Sequence, residues 1–513
     1  MTSSIRTNFI IYLVLLALHI GLVWWLPYFP TQDGPSHIYN LVILHDLLNG
    51  GKDWGAFFNQ YFRPVPNLGF HIVAYPLISF LPPLVVEKLF VSIYIIMMGI
   101  AVPVFLRTFA RPVFPFAYMV FPVVLNFTLL MGFYSYVIAI PFFLIALSCA
   151  WKFRASSQVH KFFLLNLLGF VIFYCHLIPF VFFLISLAVF TIVESHGWKK
   201  KLSELFRLWI TTSPLLLIFF VYLAGGPKGI HHNLSYLASL PRFIDLTEHL
   251  FFFSMATLSR SQIMPAAIIL FVFLFFLCTY CINVLKTGRE MGSNAARIST
   301  SEKALLFLAL VLVVIYYAAP FRLGEGSYFN QRFPWVIFVV SLPLLRIPEK
   351  VISERFASLI ILFAVIPVFY FNVLTMRQES AKVAEFLRGL DTNLPIDSFV
   401  MEYKTIFPEW SDIDVLMHAA SYYGISKGCV DVGNYEAGLP YFPVQFIKTL
   451  PPFPSQDQIA YDADKIRWPL YPCIRYLFGW DLDTVEIKRL GKEFHIIRQE
   501  GRLTVWQRNS VPP

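Results

Sequence analysis

Residues 9–48 read FIIYLVLLALHIGLVWWLPYFPTQDGPSHIYNLVILHDLL, and how this stretch divides decides the fold. Phe9 to Tyr28 supplies the run of about 20 apolar residues that a membrane-crossing helix needs. It ends in Trp24-Trp25-Leu26-Pro27-Tyr28, an aromatic belt suited to the lipid–water boundary. The run is long and offers no small-residue cleavage site, so it is expected to be a retained anchor rather than a signal peptide. Directly after it comes the polar segment Pro30-Thr31-Gln32-Asp33-Gly34-Pro35-Ser36-His37-Ile38-Tyr39-Asn40. Asp-Gly favours a tight turn and Pro35 suits a first helical turn, so a short helix is expected to run to about Leu48, where Asn49-Gly50-Gly51 stops it. Helical spacings of four and seven place His37 and Asn40 on the side of Asp33.

The rest of the chain has the same character. Of 513 residues, 57% are hydrophobic, 18% aromatic and only 14% charged, well under the quarter that soluble domains carry. A polytopic α-helical membrane protein is expected, while disorder and a disulfide scaffold are excluded. Eleven transmembrane helices are expected: Phe9–Tyr28, Lys88–Leu106, Val113–Leu130, Tyr134–Ala150, Phe162–Cys175, Leu177–Val193, Leu205–Leu223, Met264–Leu285, Ala304–Ala319, Pro334–Leu345 and Phe356–Leu374. Leu68–Leu81 and His249–Leu258 are shorter and fit interfacial or re-entrant helices.

The net charge of +9 would suggest nucleic acid on a soluble protein. Here it reads as topology. The bases of the short loops, among them Arg107, Arg111, Lys152, Arg154, Lys161, Lys199 to Lys201, Arg297, Arg346, Lys350 and Arg355, all fall on the side of Arg6. By the positive-inside bias the N-terminus is cytoplasmic and the C-terminus extracytoplasmic, N-in and C-out. No nucleic-acid partner is implied. Short connecting loops favour a bacterial inner (plasma) membrane, with an endoplasmic-reticulum enzyme facing the lumen having the same topology.

Composition divides the chain into a membrane region, 1–374, with charge +12, and a segment 375–513 with charge −3. The latter is expected to be a small extracytoplasmic α/β domain. Its helix from Glu379 to Leu390 presents Val383, Phe386, Leu387 and Leu390, a strand follows at Ser398–Met401, and a hairpin turns at Gln499–Arg502. A further helix is expected over Asp412–Tyr423, carrying His418. Cys429 and Cys473 lie in this region, though sequence alone leaves open whether they meet.

A spanning helix, an external loop with an early Asp, a short amphipathic helix, a second apolar helix on the membrane and then a span ending in Arg together resemble the GT-C superfamily of glycosyltransferases. The resemblance implies a polyprenyl-phosphate sugar as donor, a glycan, lipid or protein as acceptor, and Asp33 as the catalytic base of the first loop. Asp before Gly-Pro is equally an ordinary turn or cap residue. The loop Leu125–Tyr136 holds no second acid, which argues against a two-carboxylate or metal-assisted version. No spacing indicates a cofactor, and a divalent metal is possible without being indicated. Asn126 is a candidate sugar contact there, as His176 is at the break between two spans. A leaving phosphate needs cations, and Arg322 and Arg332 lie on the side where the topology bias does not favour them. Lys228, His231 and His232 belong to a long external loop, Gly225–Glu248, suited to closing as a lid. A transporter or flippase of an amphiphilic substrate and a non-catalytic assembly protein are the competing readings.

Overall fold

The structure, a computed structural model, describes residues 3–61, 65–110, 112–225, 240–290, 298–322, 326–405, 411 and 413–509. Arg111, Lys228, His231, His232, Arg297 and Asp412 lie outside them.

The bundle opens with α1, Ser3–Trp25, followed by α2, Gly34–Asn49, and α3, Gly69–Ile78. Next come α4, Pro83–Phe109, α5, Tyr134–Lys152, α6, Gln158–Cys175, and α7, Leu177–Glu194. Then follow α8, Trp198–Thr211, α9, Ser213–Gly225, α10, Leu240–Phe251, and α11, Ile263–Glu290. The last are α12, Thr300–Ala318, α13, Pro334–Ser341, and α14, Glu354–Phe386. Among the described residues, eight helices are long and apolar enough to cross a membrane, with α8 and α9, bent by 70°, forming a ninth if taken as one span. Outward-facing Phe271 and Phe363 are 70% and 74% exposed, the pattern of a lipid-facing surface on an integral membrane protein.

Eleven crossing-length helices were expected, and three of those segments are broken: Leu205–Leu223 bends by 70° where α8 gives way to α9, and two others are interrupted within their length. Val113–Leu130 forms a 3-10 helix, Phe116–Val120, and two helical turns, Phe121–Val124 and Phe127–Leu130. Pro122 lacks the N–H a continuous helix needs, and Asn126 restarts the helix by capping it. Its ends nonetheless reach both ends of α1: the Tyr118 hydroxyl donates to the Asn8 carbonyl at 2.9 Å and the Gln32 N–H donates to the Leu130 carbonyl at 3.0 Å. Pro334–Leu345 is the eight-residue α13 followed by a 3-10 turn at Leu342–Leu344 that contains Pro343. The short helix expected over Leu68–Leu81 is α3. The second, His249–Leu258, is only the tail of α10, because Phe253 and Ser254 take positive φ of 47° and 58° and end helical geometry.

Segment 375–513 carries a five-stranded mixed sheet in the order β3-β2-β5-β7-β6, built of β2, Phe399–Tyr403, β3, Val430–Asp431, β5, Ile474–Trp480, β6, Phe494–Glu500, and β7, Leu503–Arg508. The α/β character and the Gln499–Arg502 hairpin are as expected. The helix at Glu379 is the far end of α14, which runs unbroken through position 374; Val383 and Phe386 are buried on it. The helix expected at Asp412–Tyr423 begins only at Ser421, as α15, Ser421–Lys427, and His418 sits in the turns before it.

This segment is clamped onto the first loop. Strand β1, Phe58–Gln60, pairs antiparallel with β4, Val444–Phe446, and Tyr39 of α2 donates to the Cys429 carbonyl at 2.8 Å. Ser380 on α14 donates to the Tyr28 carbonyl at 2.6 Å. One apolar core runs from Tyr12 and Phe105 in the bundle to Tyr423, Phe478 and Val505.

Cys429 and Cys473 are both free thiols. Val430 on β3 and Ile474 on β5 both register with Phe399 of the intervening β2, so the cysteines stand about two strand spacings, ~10 Å, apart, beyond disulfide reach.

Candidate functional site

Asp33 occupies the residue before α2, where the polar loop bends over the end of α1. Its side chain does not cap the helix. Instead the loop is tied to the segment 130–132: the Gln32 N–H donates to the Leu130 carbonyl at 3.0 Å and the Asp33 N–H to the Met131 carbonyl at 3.1 Å. Gly132 is required at this junction. Its φ is +92°, and a Cβ there would meet the Asp33 Cβ at 2.8 Å and the Asp33 nitrogen at 2.9 Å.

The Asp33 carboxylate is only 7% exposed. The Tyr435 hydroxyl donates to Oδ2 at 3.2 Å, the Gln32 amide approaches Oδ1 at 3.4 Å, and His418 Nε2 lies 3.6 Å from Oδ1. Burial is the largest influence and raises its pKa; His37 lowers it, Glu436 raises it, and the Tyr435 and Gln32 hydrogen bonds lower it, leaving it at about 7. A carboxylate so placed exchanges a proton near neutral pH. His418 is held neutral, its pKa pushed down to about 3 by burial and by Lys404.

His37 lies one turn along α2. Its Nε2 is 2.8 Å from the Gly132 carbonyl, and Nδ1 forms an ion pair with the fully buried Glu436. Both ring nitrogens therefore face acceptors, which calls for protons on both. Burial disfavours the charged ring, but the Glu436 and Asp33 carboxylates and the Gly132 carbonyl together outweigh it and the His37 pKa is raised. Glu436 and Tyr435 are delivered by the turn after β3, where Asp431 accepts from the Ser421 hydroxyl at 2.7 Å and the Gly433 N–H at 2.8 Å.

Asn40, placed by helical spacing on the side of Asp33, fastens that turn. Its Nδ2 donates to Asn434 Oδ1 at 2.7 Å and to the Ser36 carbonyl at 2.9 Å, while its Oδ1 accepts from Asn434 Nδ2 at 3.1 Å. Asn126, expected to touch sugar, is engaged in capping: Oδ1 accepts from the Thr128 N–H at 2.8 Å and Nδ2 donates to the Val123 carbonyl at 2.7 Å. Arg322 is exposed and has no ion-pair partner among the described residues.

Arg332 and His176 do come together. Arg332 Nη1 is 3.4 Å from His176 Nε2, and the guanidinium lies over the Phe133 ring at 4.2 Å. His176 Nδ1 accepts from the Ile178 N–H at 3.1 Å as it caps α7, so the neutral ring carries its proton on Nε2. Burial and Arg332 hold the His176 pKa well below the usual value. Two donors thus face one another, and the buried Arg332 Nε has no partner. Burial lowers the Arg332 pKa to about 10, against the charges of Tyr136, Tyr441 and Asp33, so the cation persists and feels the Asp33 carboxylate. Arg332 Nη2 donates to the Ser327 carbonyl at 3.3 Å, and an anionic acceptor is the partner that would relieve the facing donors of Arg332 and His176.

No protein-family model matches the chain, and no curated protein matches it in sequence. Among solved structures the chain is similar to a crystal structure of ArnT from Cupriavidus metallidurans in the apo state. The match covers 98% of each chain, with a TM-score of 0.45 and 9% identity.

Two buried acids escaped sequence reasoning. Glu87 of α4 accepts from the Tyr134 hydroxyl at 2.6 Å, and Tyr134 in turn lies 3.1 Å from the Thr31 hydroxyl beside Asp33. A signal existed, since an acid at the mouth of an apolar span is costly unless paired. Glu436 and its neighbour Tyr435 had none, being some 400 positions from Asp33 in the chain. Among the described residues no group of three or more His, Cys, Asp and Glu is arranged to hold a metal ion.

Proposed function

We propose that this protein is a GT-C-type glycosyltransferase that moves a sugar from a polyprenyl-phosphate donor to a glycan, lipid or protein acceptor at the extracytoplasmic face, with the N-terminus inside and segment 375–513 outside. The observation that carries this reading is the buried Asp33 carboxylate, raised to about 7 by burial, in the field of the half-buried Arg332, whose Nε has no hydrogen-bond partner among the described residues. Asp33 takes the proton of the acceptor hydroxyl as that oxygen attacks the anomeric carbon. The bond from that carbon to the phosphate oxygen breaks, and its electron pair leaves on the phosphate. Arg332 and the His176 N–H meet that charge in a site largely shielded from water, where fixed donors act most strongly. His37 and Glu436 hold Gly132 and the Tyr435 turn about the base. Asn40 acts through Asn434, as a positioning residue.

The topology is supported by the ends of the helices. Arg107, Lys152 and Arg346 lie at the end of the bundle away from Asp33, as the positive-inside bias requires of a cytoplasmic face. A bacterial inner membrane fits the short connections.

The test is transfer by the purified protein from a panel of polyprenyl-phosphate sugars, followed by product mass. Wild type is expected to release polyprenyl phosphate with one donor and Asp33→Asn to lose at least about 100-fold, the lower limit of what a general base contributes. Transfer by a folded Asp33→Asn at the wild-type rate overturns the assignment of the base.

A further inference from the structure

At the end of the bundle opposite Asp33, α8 lies with its polarity reversed relative to an ordinary surface helix. Trp198, Phe206 and Trp209 point outward and are 74%, 58% and 57% exposed. Lys200, Glu204, Arg207, Leu208 and Thr211 border the ends of α5, α6 and α7, with Lys200 and Arg207 still exposed. They line an open cavity of about 310 Å³ against the ends of α5, α6 and α7. That is the low end of the size range of small-ligand sites.

Four cations line this cavity, Arg154, Lys161, Lys200 and Arg207, against two acids, Glu194 and Glu204. Arg154 pairs with Glu194 at 2.8 Å and stacks over Trp151 at 4.6 Å, while Arg207 pairs with Glu204 at 2.9 Å. The two acids are thereby matched. Lys161 and Lys200 remain, neither with an ion-pair partner among the described residues. A net positive recess under a helix whose outer face is apolar suits a ligand with an anionic head and greasy tails.

We infer that the cavity between α8 and the ends of α5, α6 and α7 binds the phosphate headgroup of an anionic glycerophospholipid in the leaflet opposite the Asp33 site. Lys161 and Lys200 contact the phosphate, the Arg154–Glu194 pair forms one wall, and Trp198 and Trp209 lie among the acyl chains. The lipid is then a structural ligand that holds the bend between α8 and α9, separate from the donor at Asp33.

The protein is released from nanodiscs of mixed phosphatidylcholine and phosphatidylglycerol, and the phosphatidylglycerol that stays bound is counted by native mass spectrometry. Wild type is expected to retain phosphatidylglycerol over phosphatidylcholine. The pair Lys161→Gln and Lys200→Gln is expected to lower that retention by on the order of thirtyfold, and Lys200→Gln alone by about fivefold. The control pair Lys199→Gln and Lys201→Gln removes the same total charge, here from α8 alone and at residues that do not line the cavity, and is expected to retain the lipid within about threefold of wild type. Equal loss in both pairs means diffuse attraction to the surface and overturns the site, as does loss in neither. Displacement of the lipid by excess inorganic phosphate overturns the lipid as its occupant.

Discussion

Tyr435→Phe tests whether the segment after residue 375 tunes the proposed base. In the wild type the Tyr435 hydroxyl donates to Asp33 Oδ2 at 3.2 Å, and this bond stabilises the ionised carboxylate. The Tyr435 pKa is raised well above its ordinary value, so it remains a donor throughout the working pH range. A hydrogen bond to a charged group is worth about 1.5–3 kcal/mol, and one pKa unit corresponds to about 1.4 kcal/mol. At 3.2 Å the bond is longer than the strongest of its kind, which sets the expectation at the lower limit, an upward shift of about one unit. The other groups facing Asp33 are His37, which lowers its pKa, Glu436, which raises it, and the neutral His418; the substitution leaves all three in place. With wild-type Asp33 at about 7, kcat/KM rises as pH passes through 7 and levels off above it. In the variant that limb is displaced toward 8, so the rate at pH 7 falls about fivefold and recovers by about pH 9. The assay is kcat/KM for sugar transfer between about pH 5 and 9. A variant whose limb stays at 7, or whose rate is lower by one factor at every pH, refutes the argument.

Asp33→Asn carries a stability consequence of opposite sign to its effect on rate. The folded-state pKa of about 7 lies above the ordinary aspartate value of 3.8, so ionisation opposes folding increasingly from about pH 4 to pH 7 and by a constant amount above. The variant is therefore expected to melt higher than wild type at pH 8, by up to about 4 kcal/mol, and to lose that advantage near pH 4. Arg332→Lys keeps the charge but loses the planar fork; KM for the donor is expected to rise by about tenfold with the melting temperature little changed. Glu436→Gln leaves His37 without its buried counter-charge and is expected to destabilise the protein by about 3–5 kcal/mol in thermal unfolding. Reducing agent is expected to leave the melting temperature unchanged, because Cys429 and Cys473 are free thiols.

The sequence by itself determined the solvent of this protein and the neighbourhood of its candidate base. Runs of apolar residues long enough for a bilayer speak locally, since every backbone polar group in lipid must be satisfied within its own segment. The turn Asp33-Gly34-Pro35 and the helical spacing to His37 are local in the same sense. Where helices break was less legible: Val113–Leu130 is apolar throughout, yet Pro122 and the Asn126 cap interrupt it, and its short helical pieces are held by their neighbours in the bundle. The tertiary structure alone decided what surrounds the base. Asn40 and Asn126 are polar residues at the right end of the bundle, and only packing shows that their amides are already engaged. Tyr435 and Glu436 carry no mark in the sequence, because their role comes from the turn after β3 folding back over α2. The physical reason is one of range. Hydropathy and turn chemistry act over a few residues, whereas the pKa of Asp33 depends on desolvation and on charges brought close from a segment some 400 positions away.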